Sequence, residues 1–154
     1  LLLGADVHSR LYQAVREEAG LCYHITSYTE PMGGMLFVEA GVETADRAAV
    51  YDLVAQQLRS LAEGGPEAQE VARSRALAWQ RLDAYDDARD SLVRFHYYRV
   101  LAGGDTSRQR LRTALGRVGA ADMRAAAAGL ELDTDYFLEP WDDVDEPRAA
   151  QGGP

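Results

Sequence analysis

The chain has 154 residues, of which 47% are hydrophobic and 27% charged, as is typical of one globular domain with its own core. Its 25 acidic and 16 basic residues give a net charge of −9, which argues against a nucleic-acid-binding or anionic-membrane surface. The single cysteine, Cys22, excludes an internal disulfide. No apolar run reaches the roughly 18 residues that a membrane-spanning helix needs.

The N-terminal part of the sequence predicts a short helix followed by a β-hairpin. The helix lies between Ser9, a suitable N-cap, and Gly20, which stands just past the helix end. Alternating apolar and polar residues on both sides of a Pro- and Gly-rich turn predict the hairpin. Its first strand, turn and second strand lie at residues 21–28, 29–34 and 35–42.

The rest of the chain predicts helices and one last strand. Helical spacing of apolar residues, interrupted by Gly or Pro, predicts five helices, with Thr44 as the cap of the first. They lie at residues 45–62, 67–85, 86–101, 107–116 and 120–128. The alternating segment LELDTDYFL at 130–138 predicts a strand. This order predicts an α+β domain over residues 1–140, an antiparallel sheet with helices layered on one face. The acidic, Gly- and Pro-rich residues 141–154 predict a disordered tail.

The stretch SRLYQAVREEAGLCY at residues 9–23 carries a family pattern. Written as S-R-L-Y-Q-x-x-R-E-x-x-G-L-x-Y, it resembles the C-terminal, non-zinc domain of the insulinase/pitrilysin family of zinc peptidases, which includes the mitochondrial processing peptidase. The resemblance covers about residues 1–140 and implies a metallohydrolase-like domain of the insulinase type. In that family an apolar helix ends in LLG just before this pattern. Residues 1–4, LLLG, therefore indicate a domain that is N-terminally incomplete and part of a longer polypeptide.

Arg16 and Tyr23 are the candidate site residues. Arg16 lies in the last turn of the predicted helix and Tyr23 is the third residue of the predicted strand, so both start within roughly 10 Å of the Gly20 corner. Spacing alone is also consistent with a helix-end cation that favours the helix dipole and a half-buried strand tyrosine. In the family, an Arg and a Tyr with this spacing contact the substrate backbone near the zinc of the other domain. The resemblance therefore implies that Arg16 and Tyr23 bind substrate.

The sequence predicts neither a metal site nor a catalytic group in this chain. The resembled peptidases bind zinc through His-x-x-Glu-His, but His8, His24 and His96 are not spaced four residues apart. No serine has a Gly-x-Ser-x-Gly setting, and Cys22 falls on a strand instead of a helix N-terminus. We therefore expect no cofactor and no catalysis from this chain alone. The resemblance places zinc in a partner domain or subunit.

Two functions are consistent with these patterns. The first is the non-catalytic, substrate-binding portion of an insulinase-type zinc metallopeptidase, whose partners are a zinc-bearing half, an extended peptide and further copies of itself. The alternative is a proteolytically inactive structural or assembly subunit of the same fold. The hairpin edge at 34–42 could accept an extended peptide by strand addition, although in the family the pairing strand lies in the zinc-bearing domain. The basic residues are all Arg, which together with the lone cysteine predicts a bacterial, cytoplasmic protein.

Overall fold

The computed structural model describes residues 1–30, 32–84, 89–101, 103–104 and 107–139. The predicted tail at 141–154 and the junction at 85–88 between two predicted helices lie outside these residues. The elements are a π-helix at Tyr12–Glu18, strands β1 at His24–Glu30 and β2 at Met35–Gly41, a 3-10 turn at Thr44–Asp46, and helices α1 at Arg47–Gly64, α2 at Ala68–Ala84, α3 at Arg89–Leu101, α4 at Arg108–Arg117 and α5 at Ala120–Ala128.

The first helix forms where the sequence predicts it, but its turns are wider than those of an α-helix. The Ala19 N–H donates to the Ala14 carbonyl at 3.2 Å, five residues back, as in a π-helix. The Leu21 N–H reaches the Val15 carbonyl at 3.0 Å. Gly20 ends the helix with a φ of +67°, a backbone conformation that glycine adopts without steric cost. The predicted helix stop is therefore confirmed.

The two predicted capping residues do not cap their helices. The Ser9 hydroxyl is buried and donates to the Asp6 carbonyl at 2.6 Å, so it is committed to the preceding turn. Thr44 lies in the 3-10 turn, and no side chain caps the start of α1. This helix therefore begins at Arg47, two residues later than the sequence predicts.

The predicted hairpin is confirmed as an antiparallel pair of strands. Cα partners run from His24 opposite Gly41 to Glu30 opposite Met35. Ile25 on one face is buried in the core, while the other face carries Tyr28 stacked on Phe37 with ring centroids 5.2 Å apart. The hairpin therefore has one covered face and one exposed aromatic face.

The N-terminal residues run beside β1. The Ser27 N–H donates to the Gly4 carbonyl at 2.9 Å, so Ser27 directs its backbone groups away from β2. Antiparallel pairs alternate between hydrogen-bonded and non-hydrogen-bonded, so the opposite residue, Val38, also directs its N–H and C=O away from β1. By the same alternation, Leu36 and Ala40 also direct their backbone N–H and C=O groups away from β1. In the described residues the sheet has two strands, so this edge of β2 is unpaired.

The core lies between the covered face of the hairpin, the π-helix and helices α1 and α5. Its buried apolar residues are Leu3, Leu11, Val15, Ile25, Val50, Leu61 and Ala127. Helix α5 packs along α1, and α4 packs against α2. Helices thus cover one face of an antiparallel sheet, which confirms the predicted α+β fold. No helix in the described ranges is both long enough and apolar enough to cross a membrane.

The predicted strand at 130–138 is wrong. Its alternation does not correspond to a buried face, because most of its large apolar residues are exposed. These are Leu130, Leu132, Tyr136 and Leu138. A strand also needs a neighbour for its backbone hydrogen bonds, and none pairs with this segment in the described residues. Side chains attach it instead: Arg47 contacts Asp135 at 2.9 Å and lies 4.9 Å from the ring centroid of Phe137.

Candidate functional site

Arg16 lies on the solvent side of the π-helix, whose Ala14 and Val15 are buried. Its guanidinium carbon is 4.9 Å from the centroid of the Tyr12 ring, a cation–π distance. Its Nε is 3.9 Å from Oε1 of Glu17, and the Arg16 side chain is 41% exposed. An exposed ion pair of this length contributes little to stability. Most of the five N–H donors of Arg16 therefore remain available to a ligand.

Tyr23 lies one residue before β1 and is not the third residue of a strand, as the sequence predicted. Its backbone N–H donates to the Gly41 carbonyl at 3.2 Å, so the main chain already follows the hairpin. The residue is 75% exposed, in contrast to the half-buried tyrosine that spacing alone would suggest. Among the described residues, the Tyr23 hydroxyl has no hydrogen-bond partner. The phenol is therefore an accessible donor.

Cys22 lies between the two candidate residues in sequence, and the pKa of its thiol depends on the charge of Arg16. Partial burial raises the pKa of the Cys22 thiol, and the positive charge of Arg16 opposes that shift. The guanidinium is therefore close enough to act on the residue next to Tyr23. Arg16 precedes the Gly20 turn, in the π-helix, and Tyr23 follows it, one residue before β1. Their binding role remains a prediction.

Two residues at this corner were missed by the sequence reasoning. Tyr12 lies under the Arg16 guanidinium, and its spacing of four residues was the signal that could have identified it. Gly41 lies under the Tyr23 ring: a Cβ added to Gly41 would overlap the Cζ, Cε1 and hydroxyl oxygen of Tyr23. No local sequence signal connects Gly41 to Tyr23, because the two residues meet only through the register of the hairpin.

The described residues do not form a zinc centre. The structure, in the residues it describes, contains no group of three or more His, Cys, Asp or Glu side chains placed to hold a metal ion. The histidines are on separate elements: His8 in the N-terminal loop, His24 in β1 and His96 in α3. No chemical step is therefore assigned to a metal in this chain.

A second surface, on α3, is a shallow open depression lined mainly by apolar side chains. The lining residues are Val93, His96, Tyr97, Val100 and Leu101. It offers one imidazole and one phenol, with no carboxylate and no cation among these residues. The depression therefore has less potential for peptide-bond chemistry than the Arg16–Tyr23 corner.

Comparison with known proteins identifies the family. The family described as "Peptidase M16 inactive domain" matches residues 1–77, which is 77 of 154 residues and includes the whole corner. The chain therefore belongs to the peptidase M16 inactive-domain family. This membership confirms the resemblance to the non-zinc domain of insulinase-type peptidases.

Individual relatives are bacterial. YmfF of Bacillus subtilis (strain 168), named "Probable inactive metalloprotease YmfF", is 28% identical over 138 residues, which cover 90% of this chain and 32% of YmfF. A conserved protein from Enterococcus faecalis V583 matches with a TM-score of 0.73 and 20% identity over 82% of this chain and 30% of that one. A peptidase M16 inactive domain from Pseudomonas fluorescens matches with a TM-score of 0.68 and 19% identity over 82% of this chain and 31% of that one.

These comparisons differ in what they establish. At 20% and 19% identity, the two solved structures support the fold alone. The chain spans about a third of the length of YmfF and of both solved structures.

Proposed function

We propose that this chain is the substrate-binding, non-catalytic portion of an M16-type zinc metallopeptidase, in which Arg16 and Tyr23 hold an extended peptide near the zinc of a partner half. The observation that carries the proposal is the exposure of both residues on either side of the Gly20 turn, within the segment that matches the family. A structural role would not require an accessible phenol and an accessible guanidinium at the same corner.

Tyr23 is suited to act on the transition state of peptide cleavage. When a peptide carbonyl is attacked, its oxygen gains negative charge, and a phenol O–H placed beside it donates a stronger hydrogen bond. The Tyr23 hydroxyl has no competing partner in the described residues and is exposed to an incoming chain. In this role Tyr23 would lower the barrier of the reaction more than it strengthens binding of the ground state.

Arg16 is suited to ground-state binding. The guanidinium presents a planar fork of N–H donors that can grip a backbone carbonyl before and during the reaction. The Tyr12 ring beneath it restricts its direction without using a donor in a hydrogen bond. Arg16 would therefore act mainly on the affinity for peptide.

The alternative function remains an inactive structural or assembly subunit. The name of YmfF, "Probable inactive metalloprotease YmfF", favours it, because that relative is 28% identical to this chain. On this alternative, Arg16 and Tyr23 would be a surface charge and a surface aromatic residue. Kinetics of the chain combined with its zinc-bearing half distinguish the two functions.

Substitution of Tyr23 tests the transition-state role. Tyr23→Phe should lower kcat of the reassembled peptidase by about 100-fold, since removing one oxyanion donor costs roughly 2.7–4 kcal/mol. Zinc content and thermal unfolding should not change. Tyr28→Phe is the matched control, because Tyr28 is on the same hairpin and donates its hydroxyl to Glu39 at 2.6 Å. Equal rates for the two variants would contradict the role of Tyr23.

Substitution of Arg16 tests the binding role. Arg16→Ala should raise KM with a smaller effect on kcat, and Arg16→Lys should rescue only part of the loss because an ammonium lacks the fork. Arg59→Ala, at an exposed position on α1, is the control for loss of one positive charge. If the Arg16 variants cleave peptide with unchanged KM, Arg16 does not bind the substrate. If no combination of halves cleaves peptide, the inactive-subunit alternative is correct.

A further inference from the structure

Gly41, the last residue of β2, supports the Tyr23 ring. The ring lies so close to the Gly41 backbone that a Cβ on residue 41 would overlap Cζ, Cε1 and the hydroxyl oxygen of Tyr23. The two residues are also joined through the main chain, where the Tyr23 N–H donates to the Gly41 carbonyl at 3.2 Å. The phenol end of Tyr23 is thus folded back over the open end of the hairpin.

The backbone conformation of residue 41 does not explain why it is glycine. Positive φ angles in the described residues occur at four other glycines, Gly20, Gly34, Gly65 and Gly103, and not at Gly41. Glycine in a strand carries an entropic cost and contributes no side-chain packing. The space that the missing side chain leaves is occupied by the Tyr23 ring. A Cβ at residue 41 would therefore displace the Tyr23 ring from this position.

Other contacts do little to fix the direction of the Tyr23 side chain. The residue is largely exposed, and its hydroxyl has no hydrogen-bond partner in the described part of the chain. An exposed tyrosine of this kind would populate several χ1 rotamers. Packing of the ring against the Gly41 backbone favours one of these rotamers, as when an aromatic ring covers a glycine across a strand pair.

We propose that Gly41 is a positioning residue, which holds the Tyr23 phenol in one direction by leaving room for its ring. As a contribution to peptide cleavage this inference rests on the proposed function, but the geometric part can be tested without any activity. A misplacement of about 1 Å in a reacting group can reduce turnover by about 100-fold. Loss of the glycine should therefore act on kcat through Tyr23.

Nuclear magnetic resonance on the 154-residue chain tests the geometry. In the unmodified chain the ring current of Tyr23 should shift the Gly41 Hα resonances upfield, and Tyr23→Ala should remove that shift. Gly41→Ala should move the Tyr23 ring resonances, because a Cβ at residue 41 displaces the ring. Gly116→Ala is the control, because a Cβ there meets no atom closer than 3.8 Å. Gly41 Hα resonances that do not respond to Tyr23→Ala would overturn the inference.

Kinetics of the reassembled peptidase then separate the inference from the proposed function. Gly41→Ala should lower kcat by 10- to 100-fold with little change in KM, and its effect should be largely absent in a Tyr23→Phe background. If Tyr23→Phe impairs cleavage and Gly41→Ala does not, the positioning role is wrong and the proposed function stands. If the resonances respond as expected and neither substitution alters cleavage, Gly41 still orients Tyr23 and the proposed function is wrong.

Discussion

Arg10 and Glu70 join the start of the first helix to the start of α2 across 60 residues of sequence. Nε and Nη2 of Arg10 donate to the two carboxylate oxygens of Glu70, each at 2.7 Å. Arg10 also donates to the Gly65 carbonyl at 3.2 Å, and Glu70 accepts from the Glu67 N–H at 2.8 Å. The two side chains are only 14% and 23% exposed. This pair therefore holds the helix that carries Arg16 against the helical layer.

Glu70→Gln should destabilise the chain by about 1.5–3 kcal/mol, the usual contribution of hydrogen bonds to a charged group. Asp135→Asn is the matched control, because the Arg47–Asp135 pair has side chains 43% and 45% exposed and should lose at most about 1 kcal/mol. Urea unfolding followed by circular dichroism measures both free energies of unfolding. Equal losses in the free energy of unfolding would show that the Arg10–Glu70 pair stabilises the fold no more than the exposed Arg47–Asp135 pair does.

The same pair predicts how stability depends on pH. The hydrogen bonds from Arg10 lower the pKa of the Glu70 carboxyl in the folded chain, against the effect of burial. A lowered folded-state pKa gives stability that is present above the unfolded-state value of about 4.3 and is lost as pH falls through the folded-state pKa. The unmodified chain should therefore lose stability more steeply than Glu70→Gln below about pH 4.3. Parallel curves for the two proteins would contradict this.

The sequence predicts which side chains stand at the corner, but not what supports them. The family pattern identifies Arg16 and Tyr23 because their spacing is local. Gly41 could not be found in this way, because it meets Tyr23 only when the hairpin adopts the register that places His24 opposite Gly41. Contacts that depend on register are set by turn length and by the core, which a local pattern does not contain.

At the scale of elements, the turn at Gly20 connects the helix of Arg16 to the hairpin of Tyr23. Gly20→Ala places a side chain at φ +67° and should destabilise by roughly 1–2 kcal/mol, since an L-residue is strained there. Gly116→Ala, within α4, should instead have a neutral effect or stabilise by up to about 1 kcal/mol. Thermal or urea unfolding of both variants provides the measurement. The prediction fails if the two substitutions change stability in the same direction.

The helices were easier to predict than the strands for a physical reason. Helix α5 begins at Ala120 and ends at Ala128, as the sequence predicts, because helix signals lie within the segment itself. The segment at 130–138 has the alternation of a strand without a strand beside it. A strand is defined by its neighbour as well as by its own sequence. Alternation alone therefore could not settle this segment.

At the scale of the whole molecule, the α+β class follows from the order of elements, but the exposed surfaces do not. Helix α3 has no dominant apolar face, and large apolar residues on it are exposed. Among these are Val93, Tyr97, Val100 and Leu101. The unpaired edge of β2 is a second surface able to bind another chain, since its outward N–H and C=O groups can extend a sheet. Exposed apolar patches and free edges are common sites of association.

We therefore expect the 154-residue chain to self-associate as its concentration rises. Val100→Glu introduces a charge on the exposed side of α3 and should weaken association through that helix. Ala40→Pro removes an outward N–H on the β2 edge, where proline is tolerated because that N–H has no ladder partner, and should weaken association through the edge. Light scattering and sedimentation velocity over a concentration series measure the association of each variant. The variant that shifts the chain toward monomer identifies the surface that drives association. A chain that stays monomeric throughout, with one cooperative unfolding transition, would show that neither surface drives association.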